Sequence, residues 1–158
     1  MKSLVVYSSQ TENTKKLADV IYENLDGEKD IFAVEKTPSA KEYDLIAVGF
    51  WLMAGKPDPK SAEFLKTLGK DDKVFLFATH GAKKGSDHVK NAVEHAIGLT
   101  NNATIAGSFT CQGEVNPKVL DKVKQKPEPP IWLGDADDAV GHPNEKDFVA
   151  LKDTIAQL

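Results

Sequence analysis

A chain of 158 residues, 41% hydrophobic and 28% charged, has the size and composition of one globular domain with its own core, so a single domain over 1–158 is expected. A net charge of −4 argues against nucleic acid as the main partner, since a phosphate backbone asks for a basic face; it suits basic protein partners steered by long-range charge, or solubility alone. The lone Cys111 excludes an internal disulfide and a CxxC motif, the apolar stretch in "MKSLVVYSS" is short for a signal peptide, and no run approaches the roughly 20 apolar residues that span a bilayer, so a reducing cytoplasm and no membrane are expected.

Short apolar runs alternate with helical periods along the chain. Leu4 to Tyr7 reads as a first strand, followed by a helix on which Leu17, Ala18, Ile21 and Leu25 share a face and Gly27 is the expected C-cap. Ile31 to Val34 is a second strand and Leu45 to Gly49 a third; Pro59 to Leu68, with Phe64, Leu65 and Leu68 on one side, is a helix. Val74 to Ala78 ("VFLFA") is a fourth strand, and Val89, Ala92, Val93, Ala96 and Ile97 form the stripe of the next helix. Ala103 to Thr110 is a fifth strand, and Asn116 to Lys124 a short helix. The proline- and acid-rich stretch "QKPEPPIWLGDADDAVGHP" reads as a loop. Asn144 to Asp147 resembles a capping box opening a last helix lined by Phe148, Leu151, Ile155 and Leu158.

Strand–helix alternation implies βαβ units and an α/β fold: a doubly wound five-stranded parallel sheet with helices on both faces. Ligands in such folds sit beyond the carboxyl ends of the strands, near the point where strand order switches. The loops after strands one, three and four therefore carry the functional reading.

The loop after strand one is Ser8-Ser9-Gln10-Thr11-Glu12-Asn13-Thr14. It lacks GxxxxGK[ST] and GxGxxG, and it has Ser8-Ser9 where a phosphorylated receiver domain needs adjacent carboxylates. A hydroxyl-rich loop feeding a helix N-terminus suits a terminal phosphate monoester, held by short side chains, backbone N–H groups and the helix dipole. The alternative is that Thr11 or Asn13 merely caps the helix.

Val5-Val6-Tyr7, Ser9, Thr11-Glu12-Asn13-Thr14 and Ala18 resemble the opening loop of the flavodoxin family, with Glu12 where the family usually has glycine. A carboxylate there repels a phosphate unless it turns to solvent, and the position calls for a backbone angle that glycine supplies. The resemblance implies the sheet order 2-1-3-4-5 and noncovalent FMN, its phosphate held by Ser8, Ser9, Gln10, Thr11, Glu12, Asn13 and Thr14. It also points to the next two loops as the ring site. In the first, Phe50, Trp51, Leu52, Met53, Ala54 and Gly55 are expected near the ring, Trp51 stacking on it and residues 52–55 offering backbone groups to its N5 edge; otherwise Trp51 and Met53 are core. In the second, Thr79, His80, Gly81, Ala82, Lys83 and Gly85 are expected at the pyrimidine edge. No tyrosine stands here as it often does in the family, and Lys83 and Lys84 either favour the anionic reduced ring or are surface lysines. His80 is a proton donor or a loop hydrogen-bonder, Cys111 is expected to be a small buried residue, and Trp132 with Ile131 and Leu133 forms a docking patch, a lid or an anchored loop.

The implied function is electron carriage between two protein partners, a reductase and an acceptor enzyme, with no required acid, base or nucleophile. The alternatives are an NAD(P)H-dependent FMN or quinone reductase of the same fold, for which the missing tyrosine leaves room over the ring, and a flavin-free interaction module. Chain length favours the carrier, since such reductases usually need extra elements.

Overall fold

The computed structural model describes residues 1–9 and 12–158. In chain order it contains β1 (Lys2–Tyr7), α1 (Asn13–Asn24), β2 (Glu28–Ala33), β3 (Leu45–Met53), β4 (Lys56–Pro57), α2 (Pro59–Leu65), β5 (Lys73–His80), α3 (Asp87–Leu99), β6 (Thr104–Gln112), α4 (Pro117–Lys124) and α5 (Glu145–Ala156). The sheet runs β2-β1-β3-β5-β6 with every neighbouring pair parallel. With the two-residue β4 set aside as a hairpin partner of β3, this is the expected order 2-1-3-4-5. No helix among the described residues is long and apolar enough to cross a membrane.

Period-two alternation sorts the central strands onto two cores. Val5, Ala47, Phe75, Phe77 and Cys111 face α1 and α5, where Leu17, Ala18, Ile21, Leu151 and Ile155 close the layer. Leu4, Val6, Ile46, Val48, Phe50, Leu76 and Ala78 face the other way, under Leu65, Leu68 and Ala96. Both faces of these strands are buried, which is why they read as continuous apolar runs.

Several boundaries differ from the sequence reading. β3 runs past Gly49 to Met53 and β5 past Ala78 to His80, because Phe50 pairs with Ala78 and Trp51 with Thr79 across the sheet. α1 ends at Asn24 with Leu25 as an extended C-cap. Gly27, at φ +80°, instead turns the chain into β2, and a Cβ there would run into the Met1 carbonyl. α2 stops at Leu65 rather than Leu68, and Ile97 is 37% exposed at the rim of the α3 stripe. The stretch 125–143 holds a 3-10 segment, Ile131–Asp135, and buries Ala136 and Ala139. The capping box is present: Asn144 Oδ1 accepts from the Asp147 N–H, and Asp147 Oδ2 accepts from the Asn144 N–H.

Gly49 leaves the room that the Phe77 ring fills; a Cβ there would overlap ring carbons of a fully buried phenylalanine. Gly49→Ala is expected to lower stability by about 1–3 kcal/mol, as overpacking does, read as a lower urea midpoint with unchanged slope.

Candidate functional site

The chain leaves β1 for α1 on one face and β3 for α2 on the other, so the carboxyl ends of these adjacent strands open a crevice. The Ser8 N–H donates to the Gly49 carbonyl at 3.0 Å, and Ser8 Oγ donates to Asp58 Oδ2 at 2.7 Å. Asp58, 1% exposed, also accepts from the Ser61 N–H on Oδ2 and from the Trp51 N–H on Oδ1, each at 3.2 Å. It is the N-cap of α2, with Pro59 behind it as the favoured first helical residue. The sequence reading passed over Asp58, although an aspartate before a helix-opening proline is a signal.

Glu12 occupies the N-cap position of α1 at φ 68°, ψ −4°, makes no side-chain cap, and is exposed. The backbone thus takes the left-handed shape that the position demands, and the carboxylate stands in solvent. Asn13 Nδ2 donates to the Glu114 carbonyl at 2.9 Å, lying so close over Gly113 that a Cβ there would stand 2.8 Å from it. Thr14 Oγ1 is 2.9 Å from Thr79 Oγ1 and donates to the Phe50 carbonyl at 3.5 Å. Ser8, Asn13 and Thr14 therefore have protein partners. Ser9 Oγ is buried without a hydrogen-bond partner among the described residues. Gln10 and Thr11 lie outside the described residues.

Trp51 is half-buried on the extended end of β3, beside Thr79. Leu52 and Met53 pair with Pro57 and Lys56 around Ala54-Gly55, whose φ values of 52° and 77° make the tight turn whose twist fits a hairpin. Met53 is 48% exposed. Phe50 is buried in the α2–α3 core, so it reaches the crevice only through its carbonyl.

Two hollows of 140 and 200 Å³ adjoin here, sharing Trp51, Leu52, His80, Gly81 and Val119. The smaller reaches Asn13, Thr14, Thr79 and Glu114; the larger reaches Met53, Ala54, Gly55, Ala82, His88 and Trp132. Ligand pockets occupy about 300–1,000 Å³, so the pair together suits a ring with a polar tail. A larger groove, 960 Å³, lies among residues 37–43 and 69–72, off the amino ends of β3 and β5, the wrong end of the sheet for this fold's ligands. Lys83 and Gly85 line neither crevice hollow. The Lys83 N–H is drawn to Asp135 Oδ2 at 3.1 Å, and Gly85, at φ 78°, turns the chain toward α3. Lys84 Nζ sits 4.7 Å from the centroid of the Phe109 ring, so it shields that ring. Cys111 is buried, and burial pushes its thiol up to about 12.

His80 ends β5 and is 5% exposed. Its Nδ1 is 2.8 Å from the Ala82 carbonyl, which accepts only, so Nδ1 carries the proton and donates. Burial lowers its pKa to about 4; the Ala82 carbonyl and Asp147 oppose this, while His88 and Lys84 add to it. At neutral pH the ring is therefore uncharged with Nε2 bare, and Nε2 is buried without a partner among the described residues.

The segment after β6 folds back over this site. A Cβ on Gly81 would stand 2.8 Å from Val115 Cγ2 and 3.2 Å from Trp132 Cε3. Gln112 Nε2 donates to the Asp135 carbonyl at 3.3 Å, and the Glu114 N–H to the His142 carbonyl at 2.8 Å. Trp132 is thus anchored on the crevice wall. Glu114, Val115 and Val119 were missed by the sequence reading, since nothing in their local pattern ties them to the distant β1 and β5 loops; His88, eight residues past the end of β5, was not singled out.

The model of the Flavodoxin domain matches residues 4–156. The flavodoxin-like domain-containing protein BilS of Clostridioides difficile (strain CD3) is 31% identical over 160 residues, covering 94% of this chain and 90% of its own. Among solved structures, a short-chain flavodoxin associated with a non-canonical PDU bacterial microcompartment superposes with a TM-score of 0.68 at 15% identity, covering all of this chain and 96% of that one. A flavoprotein of Lactobacillus acidophilus NCFM, solved in complex with FMN, gives a TM-score of 0.56 at 18% identity over 78% of this chain and 99% of that one.

A histidine whose folded pKa lies near 4 binds its proton in the unfolded chain first, near pH 6.5. Stability is therefore complete above the unfolded value and is lost as pH falls toward the folded one. From pH 7 to pH 5 the native protein is expected to lose about 2 kcal/mol through this group. Urea unfolding of wild type and His80→Gln at both pH values checks this: the loss should be smaller by that amount in the variant.

Proposed function

From the premise that the chain belongs to the Flavodoxin domain family, we propose that it binds FMN noncovalently and carries electrons between a reductase and an acceptor enzyme in the cytoplasm. The observation that carries this reading is at the opening of α1. Glu12, whose carboxylate would repel a phosphate, stands exposed on a left-handed backbone, and in the same loop Ser9 Oγ is buried without a hydrogen-bond partner among the described residues. Such a pair of features fits a bound anion.

The residues fit the group. Ser9 Oγ and the first N–H groups of α1, which have no intrahelical acceptor, would hold the phosphate. Trp51 from β3 and Trp132 from the segment after β6 line the ring hollow, supplying aromatic faces, and Val115 and Val119 keep water from its inner side. FMN supplies the redox chemistry when bound, taking up and releasing electrons singly or in pairs; the chain sets its orientation and surroundings. The half-exposed Met53 at the hairpin tip gives an apolar contact for a protein partner beside the ring. The reductase alternative needs open space for a nicotinamide over the ring. Trp132 and Val115 stand on the Gly81 side, where the missing tyrosine had left room, and this favours the carrier.

Mixed with FMN and freed of excess ligand, the protein is expected to keep a flavin absorption spectrum, and anaerobic NADPH alone should leave it unbleached. Rapid bleaching without added reductase would make it an enzyme, and colourless protein would leave the flavin-free module. Ser9→Ala should weaken FMN about tenfold, the order expected for one hydrogen bond to a charged group, with riboflavin affinity unchanged.

A further inference from the structure

We propose that His80 recognises the flavin's imide edge, its bare Nε2 accepting a hydrogen bond from N3–H of the isoalloxazine ring. The inference rests on the FMN reading and assigns the residue that fixes the ring's orientation within the same site. Three observations carry it. Nδ1 is committed to the Ala82 carbonyl at 2.8 Å, which fixes the ring's plane and leaves Nε2 as the unprotonated nitrogen. Nε2 is buried and has no donor among the described residues, and a buried acceptor left so is unfavourable until a donor arrives. His80 lines both hollows, as Trp51 does.

The ligand's chemistry then narrows the contact. The oxidised isoalloxazine ring offers a single N–H, at N3 between two carbonyls; N1, N5 and both carbonyl oxygens are acceptors and would repel a lone pair. A bare imidazole nitrogen among aromatic and apolar walls therefore meets the ring favourably at one edge only. Ribityl hydroxyls are the other donors FMN possesses, and they belong with the polar residues of the smaller hollow, between Thr14 and Glu114. The buried histidine thus does the work of a specificity filter: it accepts a ring with an imide N–H and rejects one that has lost it.

The first arm of the test uses the wild-type protein. The affinities of wild-type protein for FMN and for 3-methyl-FMN are measured by quenching of flavin fluorescence. FMN is expected to bind at least about tenfold more tightly, since the methyl group removes the donor and crowds the acceptor. In His80→Leu the two ligands should differ by less than about threefold. The ¹⁵N resonance of Nε2, observed in labelled wild-type protein, should shift upfield with FMN and stay near its ligand-free position with 3-methyl-FMN. Equal binding of both ligands by wild type, or an Nε2 resonance indifferent to FMN, overturns the assignment while leaving FMN binding intact. Failure of both ligands to bind overturns the assignment together with the FMN reading beneath it.

Discussion

Asp58 places a carboxylate, 1% exposed, where donors from three separate elements converge: Ser8 Oγ from the β1 end, the Trp51 N–H from β3 and the Ser61 N–H from α2. A buried charge is tolerated only when its oxygens are satisfied, and here both are. The consequence is geometric. One side chain fixes the start of the β1–α1 loop, the strand that presents Trp51 and the start of α2 relative to one another. It also commits the Ser8 hydroxyl to the carboxylate, while Ser9 Oγ has no partner among the described residues.

The β1–α1 turn shows the same allocation. Asn13 reaches the Glu114 carbonyl and Thr14 reaches Thr79, so these side chains tie the opening of α1 to β5 and to the segment after β6. Ser8, Asn13 and Thr14 thus shape the loop, each committed to a protein partner. The left-handed Glu12 shapes it too, since its backbone sets the turn and its side chain stays outside.

Much of this was legible in the sequence. The alternation of strands and helices gave the layers, and Glu12, standing where the family usually has glycine, was flagged as the position needing an unusual backbone, which it takes. The extension of β3 to Met53 was hidden because its hairpin turn carries Ala54 at positive φ instead of the Asn-Gly or Asp-Gly that usually announces such a turn. The roof over Gly81 was hidden for another reason: Val115, Val119 and Trp132 reach it through long-range links such as Asp135 to the Lys83 N–H, and no local period encodes them. Lys83 and Lys84, adjacent in sequence to the site loop, line neither hollow, and Lys84 Nζ lies over the Phe109 ring.

Among the residues lining the two hollows the only acid or lysine is the exposed Glu114, and the buried Asp58 carboxylate lines neither. A phosphate dianion at the opening of α1 would be shielded from water and held by neutral donors. The ³¹P resonance of FMN bound to the protein tests this most directly. The second ionisation of a phosphate monoester lies at about pH 6, so the account predicts a bound signal that holds the dianion's shift from pH 8 to pH 5. A signal that titrates near pH 6, as in free solution, would contradict it.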